Sequence, residues 1–123
     1  MASEKQIQDT FDRVAQDVPG FVAASLVDLE SGMTLGARSM RPDFDLTAAS
    51  AYNSEMVKQK LKIMKALKLE TSLEDMLLTL GDQFHLIKIL PGGSSFLYLA
   101  ADRSATNLAI LRIAVNKHCN GLV

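Results

Sequence analysis

TSLEDMLLTLGDQFHLIKILPGGSSFLYLAAD, residues Thr71 to Asp102, is the stretch that decides the fold. It contains three apolar runs of strand length, rich in Leu, Ile, Phe and Tyr. The runs are Leu73–Leu80, Phe84–Leu90 and Phe96–Ala101. Gly81-Asp82 suits a two-residue hairpin in which Gly adopts positive φ, and Pro91-Gly92-Gly93-Ser94 indicates a longer turn. Connections this short cannot contain crossover helices, so we expect an antiparallel meander.

The middle run is apolar on both faces of the expected sheet. Alternation places three residues on one face, namely Phe84, Leu86 and Leu90, and three on the other, namely His85, Ile87 and Ile89. A sheet with two apolar faces needs cover on both sides, because neither face can remain in water. We therefore expect helices to pack on each face.

The residues before the meander predict a helix and two strands. A Ser3-x-x-Gln6 capping box begins the helix, and Pro19-Gly20 ends it. Its apolar stripe consists of Ile7, Phe11, Val14 and Val18. Phe21–Val27 is the first predicted strand, with small residues that let a helix pack closely. Alternation from Met33 to Ala37 predicts the second.

A long helix is predicted from Leu46 to about Leu69, with Asp45 as its N-cap. At about 100° per residue, its apolar side chains form two adjacent stripes. The first stripe contains Tyr52, Ile63, Met56, Ala49 and Leu67, and the second contains Leu46, Met64, Val57 and Leu61. One sheet face cannot easily cover both stripes. We expect the second stripe to meet the same helix of a second copy; the alternative is that the first helix or a loop covers it.

The end of the chain predicts a last helix, from Ala105 to about His118, capped by Ser104. Leu108, Leu111 and Val115 form its inner stripe. The element order is then αββαβββα, an α+β fold in one domain that spans residues 1–123.

This order resembles the Roadblock/dynein light chain family, in its minimal bacterial form. The matching segments are Val18–Asp28 (VPGFVAASLVD), Ser31-Gly32, Ala48-Ala49, Leu80-Gly81-Asp82 and Leu97–Ala101. The resemblance implies a profilin-like or longin-like fold. Its five-stranded antiparallel sheet has the long helix on one face and the two terminal helices on the other.

The resemblance also implies a homodimer, or a heterodimer with a paralogue, in which the long helices meet and the first meander strands pair. The expected interface residues are Asn53, Val57, Lys60, Leu61, Met64, Met76 and Leu78. Family members are adaptors and regulators: some are dynein light chains or scaffolds, and some bacterial relatives bind Ras-like small GTPases and raise their hydrolysis rate. The alternative function is a small-ligand sensor of profilin-like or PAS-like build, which needs a cavity between sheet and helix.

The lysines of the long helix suggest a second surface. Lys58, Lys62 and Lys65 share its outward face. A solvated helical face is one interpretation, and a docking patch for an acidic partner or an anionic lipid surface is the other. Nucleic acid is not an expected partner, because no aromatic residues alternate with the lysines.

The sequence contains no pattern typical of an enzyme or a cofactor site. No Lys follows the glycines of Pro91–Ser95, so this segment is not a P-loop. His85 and His118 lack partners at metal-ligand spacing, and Cys119 has no adjacent base. We expect no catalytic residues, no cofactor and no metal.

Composition gives no global attraction to nucleic acid or membranes, since the net charge of the 123 residues is −1. The single Cys119 suits a reducing cytoplasm. We expect a cytoplasmic protein, because neither a signal peptide nor a transmembrane segment is recognisable.

Overall fold

A computed structural model describes residues 2–122 and has the predicted element order. The elements are α1 (Glu4–Asp17), β1 (Phe21–Asp28), β2 (Thr34–Ser39), α2 (Leu46–Ala66), β3 (Asp75–Thr79), β4 (Gln83–Ile89), β5 (Ser95–Asp102) and α3 (Leu108–His118). The five strands form one antiparallel sheet in the order β2-β1-β5-β4-β3. The meander and the fold class are therefore confirmed, and β2 and β3 are the two edge strands.

Helices cover both faces of the sheet, as the two apolar faces of β4 require. On one face, α1 and α3 pack over Leu86, Leu97 and Leu99. On the other face, α2 packs over a second cluster that includes Ile87 and Tyr98. The side chains of β4 thus alternate between two cores, which is why this strand has apolar residues on both faces.

Local capping determines where two helices begin. The Ser3 hydroxyl accepts the Gln6 N–H while the Gln6 side chain accepts the Ser3 N–H, so the predicted capping box is confirmed. Asp45 caps α2 by accepting the Ala48 N–H at 3.0 Å. The predicted start of α3 is wrong. Asn107, rather than Ser104, is its N-cap and accepts the Ile110 N–H, because a turn after β5 occupies the preceding residues.

The β3–β4 hairpin differs from the prediction at Gly81, which does not lie in the left-handed region. Leu80 N–H still donates to Gln83 O at 2.9 Å, so the loop has two residues. The Arg103 guanidinium donates to Leu80 O, and the Arg103 N–H donates to Asp82 O, both within 3.1 Å. Tertiary contacts from Arg103 hold this turn, so a positive φ at Gly81 is not required.

The end of α2 has a Schellman motif with an unusual residue at its centre. The helix ends at Ala66, earlier than predicted, and Leu69 N–H then donates to Met64 O while Lys68 N–H donates to Lys65 O. Lys68 has φ of 56°, a conformation that glycine normally supplies at this position.

We expect Lys68→Gly to stabilise the protein. The substitution removes a left-handed strain of about 1–2 kcal/mol, and greater freedom of the unfolded chain offsets part of the gain. The free energy of unfolding should rise by about 0.5–1 kcal/mol in urea titrations. Lys65→Gly, inside the helix, is the matched control and should lower it by about 1 kcal/mol. A loss of stability in Lys68→Gly would contradict this interpretation of the motif.

Candidate interaction surface on the long helix

Two serines on α2 determine how the helix packs on its own sheet. The Ser50 and Ser25 hydroxyls hydrogen-bond at 3.2 Å, and the Ser54 hydroxyl donates to Leu29 O at 2.5 Å. Both α2 serines are buried. Their small side chains allow a close approach to β1, and their hydroxyls all have partners, so their burial carries little penalty. The predicted close packing of a helix on the narrow first strand is confirmed.

This packing reverses the predicted roles of the two stripes. Leu46, Val57 and Met64, expected to meet a second copy, are buried within one chain, with Val57 at 0% exposure. The assignment of Val57 and Met64 to an exposed stripe was wrong because only apolar residues were counted. Ser50 and Ser54 lie on the same side of the helix as Val57 and turn that side toward the sheet.

The first stripe is exposed instead. Tyr52 is 77% exposed, Leu67 63% and Ile63 40%, whereas Met56 and Ala49 are partly buried against the sheet core. Leu61, from the second stripe, keeps 39% exposure. We define the apolar stripe of α2 as Tyr52, Met56, Ile63 and Leu67. Such a stripe on a helix of one chain is a surface that a partner can cover.

Edge strand β3 points two apolar side chains to the face of the sheet on which α2 packs. Met76 and Leu78 pair with Ile87 and His85 and face the α2 side, where both are half-buried. No strand within residues 2–122 pairs with the outer backbone groups of β3. The first meander strand, which the resemblance implies pairs with its copy, is an edge strand and spans Asp75–Thr79 rather than Leu73–Leu80. Asn53 is half-buried and Lys60 exposed between the stripes.

The lysine face is smaller than predicted. Lys58 donates to the Glu30 carbonyl at 2.6 Å and lies 3.7 Å from a Glu55 carboxylate oxygen, so it links α2 to the turn after β1. Lys62 and Lys65 are exposed, and neither forms an ion pair with any of residues 2–122. We define the lysine patch as Lys62 and Lys65.

A polar cluster on the α2 side of the sheet was missed at the sequence level. His85 Nε2 lies 2.8 Å from Gln83 Oε1, and His85 Nδ1 lies 3.2 Å from the Tyr98 hydroxyl. A neutral ring protonated at Nε2 donates to Gln83 and accepts from Tyr98. Burial lowers the pKa of His85, which favours that neutral form. Burial also raises the pKa of Tyr98 to about 12. Both side chains are satisfied, which is typical of a structural cluster.

The remaining candidate groups have structural partners. His118 donates to the Asp17 carboxylate at 2.6 Å, and this hydrogen bond lowers the pKa of Asp17. Cys119 is buried, and burial raises the pKa of its thiol to about 12, which makes it a poor nucleophile. Across residues 2–122, no three metal-ligating side chains converge, and no helix is long and apolar enough to span a bilayer.

No family model and no curated protein matches this chain. Several solved structures do match it. MglB from Myxococcus xanthus superposes with a TM-score of 0.85 at 18% identity, over 98% of this chain and 94% of that one. The gliding protein MglB from Thermus thermophilus gives 0.80 at 15% identity, over 96% and 86%. A Roadblock/LC7 domain from Streptomyces avermitilis gives 0.75 at 15% identity, over 95% and 91%. The chain therefore has the Roadblock/LC7 fold, as the sequence resemblance implied.

Proposed function

We propose that this chain is a homodimeric interaction module that regulates or scaffolds a Ras-like small GTPase. The observation that carries the proposal is the apolar stripe of α2 together with the open edge of β3. The stripe exposes apolar side chains, and the edge of β3 exposes unpaired backbone groups. Met76 and Leu78 of β3 also face the same side of the sheet as α2. The likeness to MglB and Roadblock/LC7 structures supports an interaction module. The choice of a Ras-like partner rests on the family resemblance in the sequence.

The dimer follows from self-complementarity about a two-fold axis. In an isologous interface each patch meets its own copy. The apolar stripes of two α2 helices then pack together while two β3 strands pair into a continuous sheet. This arrangement keeps Met76 and Leu78 from the predicted interface, whereas Leu61 lies about 160° around the helix from Ile63 and is not part of it. Tyr52, Ile63 and Leu67 replace Val57 and Met64, which are already buried. It also removes an apolar sheet edge that otherwise invites aggregation.

The lysine patch is the proposed binding surface for the partner GTPase. Lys62 and Lys65 project from α2 on a different side from the apolar stripe, so a dimer built on that stripe leaves them in water. Two unpaired ammonium groups suit an acidic surface on a partner protein, because complementary charge speeds and orients association. Native-cell capture with mass spectrometry identifies the partner; the proposal requires a GTPase among the captured proteins.

Reversing the lysine patch should weaken partner binding. We expect Lys62→Glu with Lys65→Glu to lower affinity for the captured GTPase about tenfold at low salt, and less at high salt, because exposed charges are screened. The matched control is Lys5→Glu with Arg13→Glu on α1, which makes the same charge change on the opposite face. Titration calorimetry at two salt concentrations measures the difference. Equal losses in the two variants would mean that only net charge matters and would remove the patch from the proposal.

The isolated protein should not hydrolyse GTP. Residues 2–122 show neither a phosphate-binding loop nor a group of three metal ligands, so GTP turnover requires a partner GTPase to supply both. Phosphate release should stay at the buffer rate with the purified protein and change only when the GTPase is added. Turnover by the protein alone, retained through two further chromatographic steps, would contradict a purely regulatory role.

A further inference from the structure

The sheet has a second open edge, β2, on the side opposite β3. Met40 N–H donates to Val22 O at 2.8 Å, just beyond the Ser39 pairing with Ala23. Hydrogen-bonded and non-hydrogen-bonded pairs alternate along antiparallel strands, so the backbone groups of Ala37 and Ser39 face outward from the sheet. An edge of this kind can accept an additional strand.

Apolar side chains flank this edge. Met33 is 65% exposed, Met40 62% and Leu35 40%, and all three lie on β2 or within one residue of it. Single exposed apolar residues are normal on a protein surface, whereas a row along an unpaired strand is a surface that a partner can cover. The Gln8 side chain donates to Ala37 O at 3.3 Å, a long bond that an incoming backbone N–H can replace.

A cleft of about 690 Å³ opens beside the same strand. It lies between the first turns of α1, the strand β2 and the beginning of β5. Its apolar lining residues are Ala2, Ile7, Leu26, Leu35, Ala37 and Leu122. This volume lies in the range of about 300–1,000 Å³ that is usual for ligand pockets, and it is ample for one large apolar side chain.

The charged groups that line the cleft are both acidic, Glu4 and Asp28. The Asp28 carboxylate accepts the Ser31 N–H at 2.9 Å and the Ser31 hydroxyl at 2.6 Å, which lowers the pKa of Asp28 and keeps it ionised. Lys58 is a cation that acts on Asp28 and offsets part of its charge, so Glu4 supplies the remaining negative charge of the cleft. The cleft therefore presents negative charge to an incoming molecule.

We propose that β2 and this cleft bind an extended, basic segment of a partner protein by strand addition. The segment's backbone pairs with Ala37 and Ser39, and one apolar side chain enters the cleft. Lys or Arg residues two positions away, which share a face of the added strand with that side chain, meet Glu4 and Asp28. Main-chain pairing supplies affinity in this mode of recognition, and the cleft with its carboxylates supplies selectivity. The site is separate from the β3 edge that pairs in the proposed dimer, because β3 forms the opposite edge of the sheet.

The test titrates ¹⁵N-labelled full-length protein with acetyl-TKTVTKT-amide, in which Val and both Lys residues share one face of a strand, and follows backbone amide shifts. The largest shifts should fall on Leu35–Ser39 and on Ser94 and Ser95 at the cleft. Acetyl-TETVTET-amide should bind about tenfold more weakly or not at all, because its charges have the same sign as those of the cleft. Largest shifts on Asp75–Thr79, or equal binding of both peptides, would overturn the proposal.

Two variants separate the contribution of backbone pairing to peptide binding from the contribution of charge. Ala37→Pro removes an outward N–H while leaving the β1–β2 hydrogen bonds intact, because Ala37 sits in a non-hydrogen-bonded pair with Ser25. It should abolish peptide binding. Glu4→Gln, on an exposed side chain, should weaken binding of the basic peptide several-fold and leave binding of acetyl-TTTVTTT-amide unchanged. Unaltered peptide binding in a folded Ala37→Pro protein overturns the proposal. If Ala37→Pro does not fold, an unchanged preference of Glu4→Gln for the basic peptide over the neutral peptide overturns it.

Discussion

Replacing Ile63 with Asp is expected to convert the proposed dimer into a folded monomer. Ile63 lies in the apolar stripe of α2 and is already 40% exposed in a single chain, so the fold itself loses little. In the dimer the same carboxylate would enter a desolvated apolar seam without a partner. The dissociation constant should rise at least about a hundredfold, the size of effect seen at interface hot spots. Sedimentation over a dilution series measures it.

Two controls distinguish loss of the dimer from loss of the fold. Val57→Asp places the charge against the protein's own sheet, where Val57 is fully buried. This variant should be unfolded, which circular dichroism detects. Lys62→Asp, on the lysine patch, should leave both fold and dimer intact. Leu61, which the sequence singled out, lies about 160° around the helix from Ile63, so Leu61→Asp should leave the dimer intact. A wild-type protein that stays monomeric at tens of micromolar, a rough working concentration for a stable dimer, would refute the dimer itself.

Replacing Gly36 with Ala is expected to destabilise the packing of α1 on β2. A Cβ atom at Gly36 would lie 2.5 Å from Cγ2 of Ile7, a distance that real contacts do not reach. Ile7 is β-branched and stiff at χ1, and it is buried, so it cannot swing away without a shift of α1. Overpacking of this kind costs about 1–3 kcal/mol. Urea unfolding followed by circular dichroism measures the loss.

The double variant Gly36→Ala with Ile7→Ala tests that mechanism. Ile7→Ala alone leaves a cavity and should lose about 2–4 kcal/mol. If the clash causes the loss at Gly36, the new methyl group partly fills that cavity. The double variant should then be more stable than the sum of the two single losses predicts. Additive losses would indicate that Gly36 is required for another reason, such as backbone geometry.

The sequence by itself determined the elements whose signals are local or periodic. The capping residues Ser3 and Asp45 bond to N–H groups three residues ahead, so no distant contact is needed to place the starts of α1 and α2. The two apolar faces of β4 follow from strict alternation, and they required helices on both sides of the sheet. The short connections of the meander excluded parallel pairing. These rules, with the family resemblance, were sufficient to predict the order of elements and the layers.

Only the tertiary structure decided which side of α2 faces the sheet. The side is determined by hydrogen bonds to groups about 25 residues away in sequence, from Ser50 to Ser25 and from Ser54 to Leu29 O. Counting apolar residues cannot detect this, because a serine is buried only where a specific partner satisfies its hydroxyl. The same limit applies to Lys58, which the Glu30 carbonyl removes from the lysine patch. A site on a helix surface depends on what the rest of the chain leaves uncovered, and that is a property of the packed fold.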